Sequence, residues 1–262
     1  MDEGIKKRKK LSDVEAASAL SKMRKRFDES DSAEHENRVN ALDDLRHLAG
    51  DQWPETLKQE RLQDGRPCLV INRQAVFVDL VVGDQRQNRP RIKVRPVDSS
   101  SDPGKASVIE DIIRNIEYNS HADSVYDTAF EQAVSCGFGY IRINKGYSDS
   151  DTFDQQLEIQ RIPNPFSVYF DPNAREVDYS DAGWCFVTEV VRKEDFDIRF
   201  PDAKGHSEFE AGGLGTNMEG WYMTDKLRIA EYWERRQTEK VIVQLENGAV
   251  VEKDRLDSAQ QS

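Results

Sequence analysis

The stretch 65–97 constrains the fold more than any other part of this sequence. It opens with a short apolar run, 68–71, typical of a buried strand. Residues 73–87 then carry apolar side chains at helical spacing, and Pro90 must end this helix because proline has no amide proton to donate. Residues 91–96 alternate between basic and apolar side chains, as a strand with one exposed face does. We therefore predict a buried strand, a buried helix and a half-exposed strand in close succession, which is a structural nucleus and not a catalytic loop.

The central helix carries more apolar residues than a single face needs. One side holds Phe77, Leu80, Val81 and Asp84, and Val78 with Val82 widens the apolar surface. We expect both flanks to contact protein, namely the sheet and a later helix at 109–116. A Leu80→Ala change is then expected to cost about 2–5 kcal/mol, as core truncations do.

Helices dominate the first half of the chain, and strands dominate the second. Before the central stretch we predict helices at 11–27 and 33–49 and a linker that starts at Trp53. After it, Asp102 and Pro103 begin a helix, and another covers 122–135. The apolar stripe of the first of these two helices is expected to be buried, and it comprises Val108, Ile109, Ile112, Ile113 and Ile116.

From Tyr140 onward the apolar period is two, which indicates strands. A hairpin is expected from 140–143 and 157–162, with further strands at 166–170, 184–191 and 227–235. A last hairpin is expected to turn at Asn247-Gly248.

The predicted fold class is α+β. N-terminal helices are followed by a mixed, mainly antiparallel sheet packed with amphipathic helices. We divide the chain into a charged, disordered or loosely helical tail at 1–32, an α+β domain at 33–235 and a β-hairpin with a frayed end at 236–262.

Charge is distributed unevenly along the 262 residues, whose net charge is −12. Residues 1–26 and 85–95 each carry a net charge of +5, so the rest carries −22. An acidic body repels nucleic acid and argues against general DNA binding. The basic N-terminus (6–10 and 22–26) nevertheless leaves a DNA-binding module open as an alternative.

Chemical motifs are scarce. Cys68, Cys136 and Cys185 are never spaced as CxxC, so we expect reduced thiols. We expect no catalytic residue, no cofactor, no metal and no membrane span. The four carboxylates of the acidic segment 171–181 leave a metal-dependent nuclease or DNA-processing factor as a second alternative. An acidic surface loop is the competing interpretation.

Five basic residues form the candidate site: Arg86, Arg89, Arg91, Lys93 and Arg95. They fit the charged face of an edge strand, which also protects against aggregation, or a contact with DNA, or a contact with a neighbouring subunit. Because identical copies would carry abundant acid, we expect the subunit contact.

Several segments in a fixed order resemble a known family. They are GDQW (50–53), GRPCLVINR (65–73), GDQRQNRPRIKVRPVD (83–98), IEYNSHAD (116–123), YDTAFEQAVSCGFGY (126–140) and RIPNPFSVYFDPNA (161–174). Together they resemble the N-terminal region of portal proteins, the head-to-tail connectors of tailed bacteriophages of the short-tailed type.

The resemblance implies a structural role. It implies a dodecameric ring in the virion, at the capsid portal vertex, through which double-stranded DNA passes without sequence specificity. The implied partners are terminase, capsid and tail adaptor proteins, and synthesis takes place in the bacterial host cytoplasm. The matched region resembles the portal wing, so the chain is expected to end before the stem, clip and crown. We therefore expect a monomer or weak, salt-sensitive oligomers.

Overall fold

The computed structural model of this chain describes residues 13–97, 102–201, 203, 225–244 and 250–252. Helices fill the first half of these residues. Strands, one short α-helix and one turn of 3-10 helix (Pro165–Ser167) fill the second, so the predicted α+β class is confirmed. The helices are α1 (Asp13–Leu48), α2 (Glu55–Gln63), α3 (Gln74–Gln87), α4 (Pro103–Asn119), α5 (Ala122–Cys136) and α6 (Lys193–Arg199). The strands are β1 (Ile141–Tyr147), β2 (Gln155–Arg161), β3 (Val168–Phe170), β4 (Trp184–Arg192), β5 (Lys226–Glu234), β6 (Ile242–Gln244) and β7 (Val250–Glu252).

The strands form three separate antiparallel sheets within the described ranges. The predicted first hairpin is confirmed, with β1 paired to β2 and Ile143 opposite Ile159. A three-stranded sheet has the order β3-β4-β5. The predicted last hairpin also forms, from β6 and β7, while its expected Asn247-Gly248 turn lies outside the described residues.

Helix α1 corrects the prediction of two N-terminal helices. It is continuous from Asp13 to Leu48, so the boundary placed between residues 32 and 33 falls inside a helix. Phe27 and Ser30 are buried on it, and the Ser30 hydroxyl donates to the Phe170 carbonyl over 2.8 Å. Because the intervening residues include no glycine or proline, these tertiary contacts carry the helix through a stretch of low helix propensity. The division of the chain into three domains stays a prediction.

Two apolar clusters form the core. The first lies between α1 and the three-stranded sheet and contains Phe27, Tyr169, Trp184 and Phe186. The second lies where α4 and α5 pack on the first hairpin, and it contains Ala122, Val125 and Ile159. Since α1 also packs against α5, one long helix connects the sheet to the helical layer.

The start of the first hairpin is fixed by two glycines with different roles. Gly137 ends α5 with a left-handed φ of +89°, the conformation that a helix C-cap commonly adopts. At Gly139 a Cβ atom would lie 1.9 Å from the Ala129 carbonyl oxygen. The chain therefore passes directly over the backbone of α5 before β1 begins, and only glycine leaves the room for it.

The boundaries of the central stretch need three corrections. Residues 68–71 are not a buried strand, since Leu69 and Ile71 are exposed and none of the described strands pairs with them. Residues 91–96 do not form a strand either, because no described strand lies beside them to share the hydrogen bonds of a ladder. Helix α2 occupies the predicted linker. By contrast, the cap of α4 is as predicted, because the Asp102 carboxylate accepts from the Gly104 amide over 2.8 Å.

Candidate interaction surfaces

Helix α3 carries two apolar rows on opposite sides. The inner row includes Val78 and Val82, and Val82 is only 4% exposed, where α3 packs against α5. The opposite side holds Val76, Phe77, Leu80 and Val81, of which Phe77 is 67% and Leu80 69% exposed. We call these four residues the α3 row. The prediction that both flanks of α3 are buried is therefore wrong within this chain, because its second flank has no described neighbour to pack on.

Helix α4 shows the same division. Ala106 is buried, Ile113 and Ile116 are half-buried, and Ile116 packs against the core cluster between α5 and the hairpin. Val108, Ile109 and Ile112 are exposed, and we call them the α4 row. Ile143 and Leu157 of the β1–β2 hairpin, against which α4 packs, are also exposed. The expectation that the whole apolar stripe of α4 lies in the core is thus wrong.

Two of the five candidate basic residues are bound within the chain. Arg86 pairs with Asp127 and Glu131 of α5 at 3.5 and 3.2 Å. Arg89 pairs with Asp127 at 2.8 Å and with Asp123 at 2.5 Å. These bridges hold the end of α3 on α5, which is a structural role that the sequence did not indicate.

The other three basic residues, Arg91, Lys93 and Arg95, lie on the extended segment after α3. All three are exposed and make no ion pair with another described residue. The structure therefore separates the candidate site into a bound pair and a cationic segment that has no ion pair among the described residues. Its assignment to a subunit interface stays a prediction.

The basic end of the predicted N-terminal helix also makes intramolecular contacts. Lys22 forms an ion pair with Glu234 of β5, and Arg26 donates to the same carboxylate over 2.7 Å. Arg26 also donates to the Tyr232 hydroxyl. The hydrogen bonds from Lys22, then from Arg26, lower the pKa of Glu234 to about 2. Two basic residues of segment 22–26, which the DNA-binding alternative would use, thus hold α1 against β5. The other basic segment, residues 6–10, lies outside the described residues.

The carboxylates of the acidic segment bind its own backbone. Asp181 accepts from the Arg175 and Glu176 amides at 2.7 and 3.2 Å, and the first of these bonds lowers its pKa. The Asp171 carboxylate accepts from the Asn173 amide over 3.0 Å, inside a turn that the Ala174 amide closes on the Asp171 carbonyl. No three His, Cys, Asp or Glu side chains of the described part are arranged to hold a metal ion. The segment has the geometry of a self-capped surface loop.

The three thiols are free, and burial raises the pKa of the Cys136 and Cys185 thiols. Such thiols are less available as thiolate nucleophiles. None of the helices in the described ranges is long and apolar enough to cross a membrane.

Many large apolar side chains of this chain are exposed, more than are buried. In the described part, 14 apolar residues are buried, whereas 32 large apolar residues are exposed. Scattered exposed apolar residues are normal, but rows of them on amphipathic helices indicate surfaces that another polypeptide covers. The sequence signal for this is present in α3, which is apolar on two sides, but helical spacing alone does not show whether the second side is covered within the chain or by another polypeptide.

Comparison with known proteins points in the same direction. The family model described as "Phage P22-like portal protein" matches residues 24–262. A "Portal protein" of Acyrthosiphon pisum secondary endosymbiont phage 1 is 26% identical over 247 residues, which are 90% of this chain and 34% of that relative. The chain therefore spans about a third of the length of this curated relative. The family match covers all the described elements except the first turns of α1, and on this evidence the chain belongs to the phage P22-like portal protein family.

Proposed function

We propose that this chain is a structural, non-enzymatic subunit of a phage portal. Identical copies surround a channel for genome packaging and ejection, and the ring joins the head to the tail. The observation that carries the proposal is the pair of exposed apolar rows on α3 and α4. A subunit that completes its core only against neighbours has such surfaces, whereas a monomeric enzyme buries them. The family match supports the same role.

The charge of the chain suits a DNA channel. With a net charge of −12, the protein repels the phosphate backbone, so DNA can slide without being held. Lys22, Arg26, Arg86 and Arg89 are engaged in ion pairs with the chain's own carboxylates. These contacts leave four fewer cations available for phosphate.

The finer features of the proposal follow the family resemblance. The ring is dodecameric and sits at one vertex of the capsid, and its partners are terminase, capsid and tail adaptor proteins. The matched region is the wing at the outer edge of the ring, and the subunits are made in the cytoplasm of the bacterial host.

Immuno-electron microscopy tests the proposal directly. Antibodies raised against this chain are expected to label particles from the phage that encodes it at a single vertex. Label spread over the whole head, or no label on particles, would contradict a portal subunit. As a check on enzymatic activity, supercoiled plasmid incubated with the chain and Mg²⁺ or Mn²⁺ is expected to remain uncut.

A further inference from the structure

A closed ring of identical copies requires two different, complementary surfaces on each copy, and this chain has two different apolar surfaces. A ring is built from head-to-tail contacts, in which one surface of a copy meets a different surface of the next copy. A two-fold dimer needs only one self-complementary surface. The α3 row and the α4 row are separate surfaces on helices that both pack against α5.

We infer that the α3 row of one copy packs against the α4 row of the next copy. This inference rests on the proposed function. Leu80 and Phe77 of one copy then lie against Ile109 and Ile112 of its neighbour. The exposed Ile143 and Leu157 of the hairpin extend the receiving surface.

The charges beside the two rows support a second copy as the partner. The segment after α3 presents Arg91, Lys93 and Arg95 without an acidic partner among the described residues. The hairpin that supports α4 has an acidic turn with exposed Asp149, Asp151 and Asp154, none of which pairs with a described cation. Each copy thus carries one cationic and one anionic segment, and attraction between the cationic segment of one copy and the anionic segment of the next would set the direction of the contact.

The apolar rows also change the expected salt dependence. Exposed ion pairs contribute little to binding and weaken in salt. Apolar contacts persist in salt. We therefore expect the chain to form oligomers that survive high salt, which replaces the weak, salt-sensitive association expected from the sequence.

Charge insertion in each row tests the inference. Leu80→Asp blocks the α3 row and Ile112→Asp blocks the α4 row. Both positions are exposed, so circular dichroism and the melting temperature of the monomer are expected to match the unchanged chain. The matched control is Leu62→Asp on α2, which is 72% exposed and belongs to neither row.

Native mass spectrometry and sedimentation velocity at low and high salt give the readout. The unchanged chain and the control are expected to form oligomers, and each row variant alone is expected to be monomeric. An equal mixture of the two row variants is expected to form dimers and nothing larger. The intact α4 row of one variant can bind the intact α3 row of the other once, and the remaining surfaces are both blocked.

Three outcomes would overturn the inference. Loss of assembly in only one row variant would indicate a two-fold contact. Assembly unaffected by both variants would place the interface elsewhere, while the portal function would stand. A monomer at every concentration would show that the two rows do not bind each other, and single-vertex antibody labelling would still test the portal function independently.

Discussion

Arg38 connects α1 to the three-stranded sheet through several donors at once. Its side chain is only 11% exposed, and it donates to the Phe166 carbonyl over 2.8 Å and to the Val168 carbonyl over 2.5 Å. The guanidinium also lies 3.9 Å from the centre of the Tyr169 ring and pairs with Glu34. The planar guanidinium group of arginine has five N–H donors and can bind these partners at the same time, whereas the ammonium group of lysine cannot.

We predict that Arg38→Lys lowers the free energy of unfolding by about 1–3 kcal/mol, since at least one buried carbonyl loses its donor. Urea unfolding followed by circular dichroism measures the change. Arg46→Lys is the matched control, because Arg46 is exposed and its one ion pair within the described residues is with Asp43, so it is expected to change stability by less than about 0.5 kcal/mol. Equal effects at the two positions would show that the carbonyl contacts of Arg38 contribute nothing.

Two glycines are expected to respond to the same substitution with opposite signs. Gly139→Ala places a methyl group against the Ala129 carbonyl, so we expect a loss of about 1–3 kcal/mol or more from overpacking. Gly83→Ala lies within α3 with open space around it, and higher helix propensity is expected to stabilise the chain by roughly 0.5–1 kcal/mol. Thermal unfolding of both variants provides the comparison, and a stabilising Gly139→Ala would contradict the close approach to α5.

At the scale of elements, α3 provides a direct test of which flank is inside. We expect Val82→Ala to cost about 1.5–3 kcal/mol, because it removes buried methyl groups and leaves a cavity. Leu80→Ala, on the opposite side, is expected to cost under about 0.5 kcal/mol in the monomer. This replaces the large cost expected from the sequence. Denaturant unfolding at low protein concentration measures both, and the reverse order would mean that α3 is rotated about its axis.

The attachment of α1 to β5 is expected to depend on pH through Glu234. Its pKa is lowered from 4.5 to about 2 in the folded chain, so the stabilisation is fully present above about pH 4.5 and is lost as the pH falls toward 2. Water and salt screen part of this effect, because half of the Lys22 side chain is exposed.

We therefore predict that Glu234→Gln destabilises the chain at pH 7 and that its difference from the unchanged chain shrinks as the pH approaches 2. Unfolding free energies measured between pH 7 and 2.5 give the profile. Glu239→Gln is the control, since Glu239 is exposed and makes no ion pair with a described residue. A difference that stays constant over this range would exclude an ionised Glu234 as the cause.

The elements themselves were largely predictable from the sequence. Asp102 with Pro103 marks the start of α4, and Gly137 marks the end of α5, because caps act through local backbone chemistry. The break predicted near residue 28 was wrong, since contacts of Phe27 and Ser30 with the sheet override weak local propensity. The prediction of a strand at 91–96 was wrong because a tertiary partner is missing. Alternation of basic and apolar side chains cannot show whether a partner strand exists.

At the scale of the whole molecule, the sequence identified the apolar residues but not which of them face inward. Helical spacing places Val82 and Leu80 on different sides of α3, yet it cannot say which side another chain covers. The same limit applies to charge. Arg86 and Arg89 stand close to Arg91 in sequence, but only the fold shows that α5 lies within reach of the first two. Long-range contacts of this kind depend on topology and leave no local signal.

Helix α1, which spans both the sheet and α5 without a break, has a consequence for how the chain melts. Neither core can come apart without disturbing a helix that the other one holds, so partial unfolding gains little entropy before both are lost. We expect one cooperative heat-absorption peak for the monomer, with the calorimetric enthalpy close to the van't Hoff enthalpy. Two resolved peaks in scanning calorimetry would mean that α1 behaves as two independent segments. A single peak would make this helix the element that turns two small cores into one thermodynamic unit.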